Sequence, residues 1–150
     1  MTEVLFYHLH DMTLERVLPS LLEKTLERGW RAVVQASSEE RVEALDNHLW
    51  TYREDSFLPH GPAHGREAVR QPVVLTADAS NPNAAQVRFL VDGAGLPDDA
   101  DAYTRVVLVF DGDDDAALTA ARASWTAAKA KGFDVTYWQP DAEGRWQRKA

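Results

Sequence analysis

Arg122, Trp125 and Lys129 recur at i, i+3 and i+7 within an alanine-rich stretch, so a helix there carries all three on one face. A guanidinium forks onto a carboxylate, an indole offers flat apolar area, and an ammonium adds a second positive centre. Together they suit an acidic peptide that ends in an apolar side chain. The same spacing also fits a half-buried Trp125 flanked by two solvated cations, and the pattern leaves both readings open. A second group, Trp50, Phe57 and Pro59, falls in the run LDNHLWTYREDSFLPH from Leu45 to His60. Aromatics at a helix end and in a loop either fold into the core or mark a contact site.

Other residue sets point to chemistry that the rest of their pattern does not complete. His8 and His10 alternate along an expected strand and so share a face. With Asp11, and His48, His60 or His64 in reserve, they are the candidates for a metal-dependent hydrolase, but nothing else has zinc-site spacing. Asp111, Asp113 and Asp115 imitate the opening of a calcium loop. The loop requires Gly at its sixth position and Glu at its twelfth, where this chain has Ala116 and Arg122. The first strand is followed by HDMTLE rather than a glycine-rich phosphate loop, and no Walker sequence occurs. VDGAGLP has two glycines but runs into Asp98 and Asp99, with Asp92 alongside. There is no G-x-S-x-G elbow, and with no cysteine there is no thiol nucleophile. We expect no cofactor and no metal.

These side chains must be positioned by elements that the hydrophobic period outlines. Val4–His10, Arg31–Ala36, Val73–Thr76, Val87–Val91 and Val106–Phe110 read as strands. The last of these is almost wholly apolar, as a strand buried on both faces is. Leu14, Val17, Leu18, Leu21, Leu22 and Leu26 define a first helix with Gly29 as its C-cap, and Pro19 marks a kink or the point near which the helix properly starts. Ser37 and Glu40 have capping-box spacing for a second helix with Val42, Leu45 and Leu49 on one face. Thr51–Gln71 has no period and reads as a long loop. Asp113–Asp115 open a third helix that runs to about Lys131, their charge suiting its dipole. Phe133–Gln139 and Arg145–Lys149 form a terminal hairpin. The alternation predicts one α/β domain over 1–150 with a mostly parallel sheet.

The chain has 150 residues and a formal net charge of -8, from 16 basic and 24 acidic side chains. That balance opposes direct binding to nucleic acid. The charge is uneven: residues 92–115 hold eight Asp against one Arg, whereas 119–150 carry an excess of Lys and Arg. The absence of cysteine agrees with a reducing compartment. The N-terminus does not read as a secretory leader, and no apolar run reaches membrane-spanning length. We therefore expect a cytoplasmic protein.

The order of motifs resembles the chi subunit of bacterial DNA polymerase III. FYHL opens the chain, and LDNHLWTYREDSFLPHG resembles the family's LD-x-x-LW…SF-x-PH signature. Val73–Leu75, Asn83–Gly93, VVLVF at Val106–Phe110, ARASW…GF at Ala121–Phe133 and the terminal YWQ…GRWQRK follow in sequence. The resemblance implies a three-layer Rossmann-like α/β/α fold with a mixed, mostly parallel sheet, and a non-catalytic replication subunit. It implies that Arg122, Trp125 and Lys129, walled by Phe110 and Phe133, hold the acidic, Pro-Phe-ending tail of single-stranded DNA-binding protein. Trp125 stands where relatives carry Tyr, and Thr126 where they carry a basic residue. It further implies that Trp50, Phe57 and Pro59 face the psi subunit or an equivalent clamp-loader partner, so that DNA contact is only indirect.

Overall fold

The computed structural model describes residues 2–51, 59–63 and 67–150. Its strands are β1 (Glu3–Leu9), β2 (Ala32–Gln35), β3 (His60–Pro62), β4 (Val73–Thr76), β5 (Val87–Leu90), β6 (Arg105–Asp111), β7 (Asp134–Pro140) and β8 (Trp146–Arg148). Its α-helices are α1 (Leu14–Glu27), α2 (Glu39–Thr51) and α3 (Asp115–Ala130). The strands form one sheet in the order β3-β4-β2-β5-β6-β1-β7-β8. Neighbours run parallel from β3 to β7, and only β7 and β8 pair antiparallel. The expected layered α/β architecture with a terminal hairpin is the one observed.

Two cores sandwich the sheet, because each strand sends alternate side chains to opposite faces. Leu5 and Leu9 join α1 and α2 on one face, whereas Val4 and Phe6 join α3 on the other. The central strand β6 buries every residue from Val106 to Phe110. Among the described residues, one cation lies within that interior. Arg88 on β5 is fully buried and is satisfied by Gln35, Asp78, Ser80 and Tyr103. Reading Val87–Val91 as a short strand gave no sign of it.

Local signals decide where the helices begin, and three expectations change. Pro19 lies inside α1, which neither starts nor stops there. A proline cannot donate to the carbonyl four residues back. That carbonyl, on Glu15, instead accepts a hydrogen bond from His48 Nε2 on α2. The second helix is capped one residue later than the capping-box spacing indicates: Ser38 Oγ, not Ser37, accepts from Arg41 N at 3.2 Å, and the Arg41 guanidinium bridges Glu15 and Asp92. Thr51–Gln71 is not loop throughout, because His60–Pro62 adds an edge strand to β4. A three-residue HGP strand has little intrinsic preference for extended pairing, and Pro62 is tolerated because it sits at an edge.

Candidate functional site

α3 starts where Asp114 caps it, its carboxylate accepting from Ala116 N and Ala117 N. The helix crosses β6 and β7 with Ala121 and Ala128 against the sheet. The other small residues of the helix do not all pack on the sheet. Ala120 and Ala127 are exposed, and Ala117, Ala120, Ala121 and Ser124 instead wall a cleft of about 720 Å³. That cleft lies at the carboxyl ends of the strands, the usual ligand position in open α/β sheets. Here Glu15, Asp92, Asp111 and Asp114 line it, and the lining cation, Arg41, is already held by two of them. A phosphate group placed there would meet carboxylates.

The adjacent face of α3 carries the predicted cations. Trp125 is half-buried, edge-on to Phe6 at 5.4 Å and to Tyr137 at 5.8 Å between ring centroids. Lys129 is exposed, with its Nζ 5.1 Å from the indole centroid, within cation–π range. Arg122 is exposed on the same face and close enough to Tyr137 for its charge to favour the phenolate, although burial dominates and holds that phenol above its usual pKa. The indole is thus wedged between β-sheet aromatics, with Lys129 over its ring and Arg122 near Tyr137. Phe110 is buried and reaches this group through Tyr137, 6.1 Å away. Phe133 is half-buried in the same core, but among the described residues it has no ring contact with Trp125.

Two members of this group, Phe6 and Tyr137, are not singled out by the sequence, and His8, read there only as a metal candidate, joins them. The signal was available in the alternation of FYHL and VTYWQ, which sends Phe6 and His8, and Val135 and Tyr137, to the α3 face. His8 Nδ1 and the Tyr137 hydroxyl share a hydrogen bond at 2.6 Å, with Gln139 Nε2 3.4 Å away. The ring also stands where a side chain on Gly112 would have to be, so a larger residue in the turn from β6 to α3 would have to displace it. His10 lies beyond the end of β1 and pairs with Asp113 at 2.8 Å. The two histidines therefore turn to different partners, and no group of three metal-ligand side chains occurs among the described residues.

Their titration should separate. Burial depresses the His8 pKa, whereas the Asp113 hydrogen bond and charge raise that of His10. Proton-detected NMR should place His8 below and His10 above the ordinary value of about 6.5, and Asp113→Asn should lower both. The His10 contribution to stability is complete below the unfolded histidine pKa and is lost as pH rises through the raised one. Asp113, held below the usual carboxylate range, loses its contribution as pH falls through its own depressed pKa.

Of the second group, Trp50 is 48% exposed at the C-terminal end of α2 and Pro59 is half-buried. Phe57 lies outside the described residues. Beneath Trp50, the buried His60 ring sits 4.3 Å from the indole, and its Nε2 donates to the Asp46 carbonyl at 3.1 Å, with Asp46 Oδ1 at 3.2 Å. The LD-x-x-LW…PH signature is therefore partly architectural: Asp46 and His60 fix the end of α2 to the edge strand and hold Trp50 outward.

Fold and surface together define a layered α/β scaffold with an aromatic, cation-flanked helix face and an acid-lined cleft. The family model for the DNA polymerase III chi subunit, HolC, matches residues 1–136, and the chain belongs to that family. It is similar to the probable DNA polymerase III subunit chi of Rickettsia prowazekii (strain Madrid E), at 28% identity over 91 residues. The matched stretch is 61% of this chain and spans about half of that relative's length, 55%.

Proposed function

We propose that this protein is a non-catalytic accessory subunit of the DNA polymerase III machinery. One surface holds the acidic tail of single-stranded DNA-binding protein, and another binds the clamp loader through psi or an equivalent subunit. The observation that carries the first half is the Trp125 indole, half-buried on Phe6 and Tyr137 and flanked by Arg122 and Lys129. An apolar terminal side chain seats on the rings while the carboxylates meet the cations. Tethering through such a tail raises the local concentration of the clamp loader at coated single strands. The protein works in the cytoplasm; no helix among the described residues is long and apolar enough to cross a membrane.

The second half rests on Trp50, an exposed aromatic beside the segment that contains Phe57. Large exposed aromatics are the usual anchors of protein interfaces. Trp50→Ala and Phe57→Ala should each lose the clamp-loader-side partner in a pull-down with purified subunits, while peptide binding at Arg122 stays intact. Unchanged partner recovery with both variants would reject this interface.

A further inference from the structure

Over the α1 side of the sheet, α1 packs on β2 and β6, and α2 on β3 and β4. Beyond them the sheet continues through β1, β7 and β8. Register places Tyr7 beside Trp138, Trp138 beside Arg148, and Pro140 beside Trp146, so these side chains share a face. The Tyr7 and Trp138 rings are nearly parallel, 19° apart at 6.2 Å, and Trp146 stands edge-on to Tyr7 at 4.8 Å. All three are only partly buried. Next to them a pocket of about 290 Å³ is lined by Tyr7, Lys24, Arg28 and Arg105, with Glu27 as the one carboxylate. Arg28 and Arg105 both bring their charge to the Tyr7 hydroxyl, and both guanidiniums lie against Trp30, at 5.4 and 5.2 Å. Arg105 bonds Glu3 through Nη2, but its Nε is buried with no hydrogen-bond partner. Lys24 and Arg28 are exposed and make no ion pair among the described residues. Trp138, Trp146 and Arg148 lie beyond the residues that the family model matches.

We propose that this face binds single-stranded nucleic acid, with a backbone phosphate held by Lys24, Arg28 and Arg105 and the adjoining bases stacked on Trp138 and Trp146. The cations select an anion. The rings, carried by neighbouring strands roughly 5 Å apart, select a ligand with repeated flat groups, which a polynucleotide has and an acidic peptide lacks. Single-strand binders combine these same two elements, a cationic track and aromatic platforms. The net charge of -8 opposes long-range approach, so binding is weak and steeply dependent on salt.

The test uses the full chain and a short fluorescein-labelled oligodeoxythymidylate, read by anisotropy and tryptophan quenching at low salt. Wild type should bind, with affinity falling as salt rises. Lys24→Glu with Arg28→Glu, both on the surface, should bind at least about tenfold more weakly and flatten the salt slope by about one unit or more. Trp146→Ala should lose about tenfold and much of the quenching. Arg122→Glu should bind the oligonucleotide as wild type does, which separates this surface from the peptide-binding one. No binding at low salt, wild-type affinity in the Lys24 and Arg28 variant, loss with Arg122→Glu, or equal capture of polyglutamate would each overturn the assignment.

Discussion

Reversing the charge at residue 122 should weaken binding of an acidic peptide ending in Pro-Phe by about 100-fold. Arg122 is exposed in the free protein, so its ordinary surface pairs are worth little. Beneath a docked peptide it is shielded from water, and a charge-assisted hydrogen bond there is worth about 1.5–3 kcal/mol. Arg122→Glu removes that bond and adds repulsion, so a loss near 3 kcal/mol follows, or roughly two decades in Kd. A wild-type Kd near micromolar, about -8 kcal/mol, suits so short a ligand. Lys129→Glu should act in the same direction by less, because its ammonium is shared with the indole. Both losses should shrink at high salt. Fluorescence anisotropy of a labelled peptide makes the measurement, and equal affinity for wild type and Arg122→Glu would remove the site.

The largest effect on stability is expected at Arg88. Its Nη1 donates to Ser80 O and the Tyr103 hydroxyl, both at 2.9 Å, and its Nη2 to Asp78 O and Gln35 Oε1, both at 2.6 Å. These bonds tie the β4–β5 connection to the interior strands β2 and β5 on the α3 side of the sheet. Asp78 in turn accepts from Ser80 and Thr76, which holds its carboxyl down at about 2. Arg88→Leu would leave several interior oxygens without donors, at about 1–3 kcal/mol for each one that stays buried. Relief from burying a charge offsets part of that, and a net loss of about 3–4 kcal/mol remains. This is a large share of a marginal total of about 5–15 kcal/mol. Urea denaturation should show a clearly lower midpoint; a change below about 1 kcal/mol would mean that water replaces the guanidinium in the network.

Periodicity made most of this fold legible. The apolar run at Val106–Phe110, the leucine spacing of α1 and the Asp-to-Gly frame of α3 each describe a local segment, and local segments are what a period encodes. What stayed hidden depends on partners far along the chain. The edge strand at His60–Pro62 forms because β4 offers it an unpaired edge and Asp46 anchors its histidine. Arg88 is buried because carbonyls from another turn are already in place. The α3 surface was half visible: helical spacing places Arg122, Trp125 and Lys129 together, but Phe6 and Tyr137 reach them only through parallel pairing of β1 with β7. Phe133 entered as a wall of the peptide site through the family resemblance, and in space it is half-buried against the α3-side core.

The bond from His48 to the Glu15 carbonyl has a consequence for how the chain assembles. Because Pro19 withholds its own donor, the first turn of α1 is completed by an imidazole 33 residues downstream. Secondary structure in this region is therefore borrowed from tertiary docking. α1 is whole only with α2 docked against it, so a substitution that displaces either helix should loosen the other.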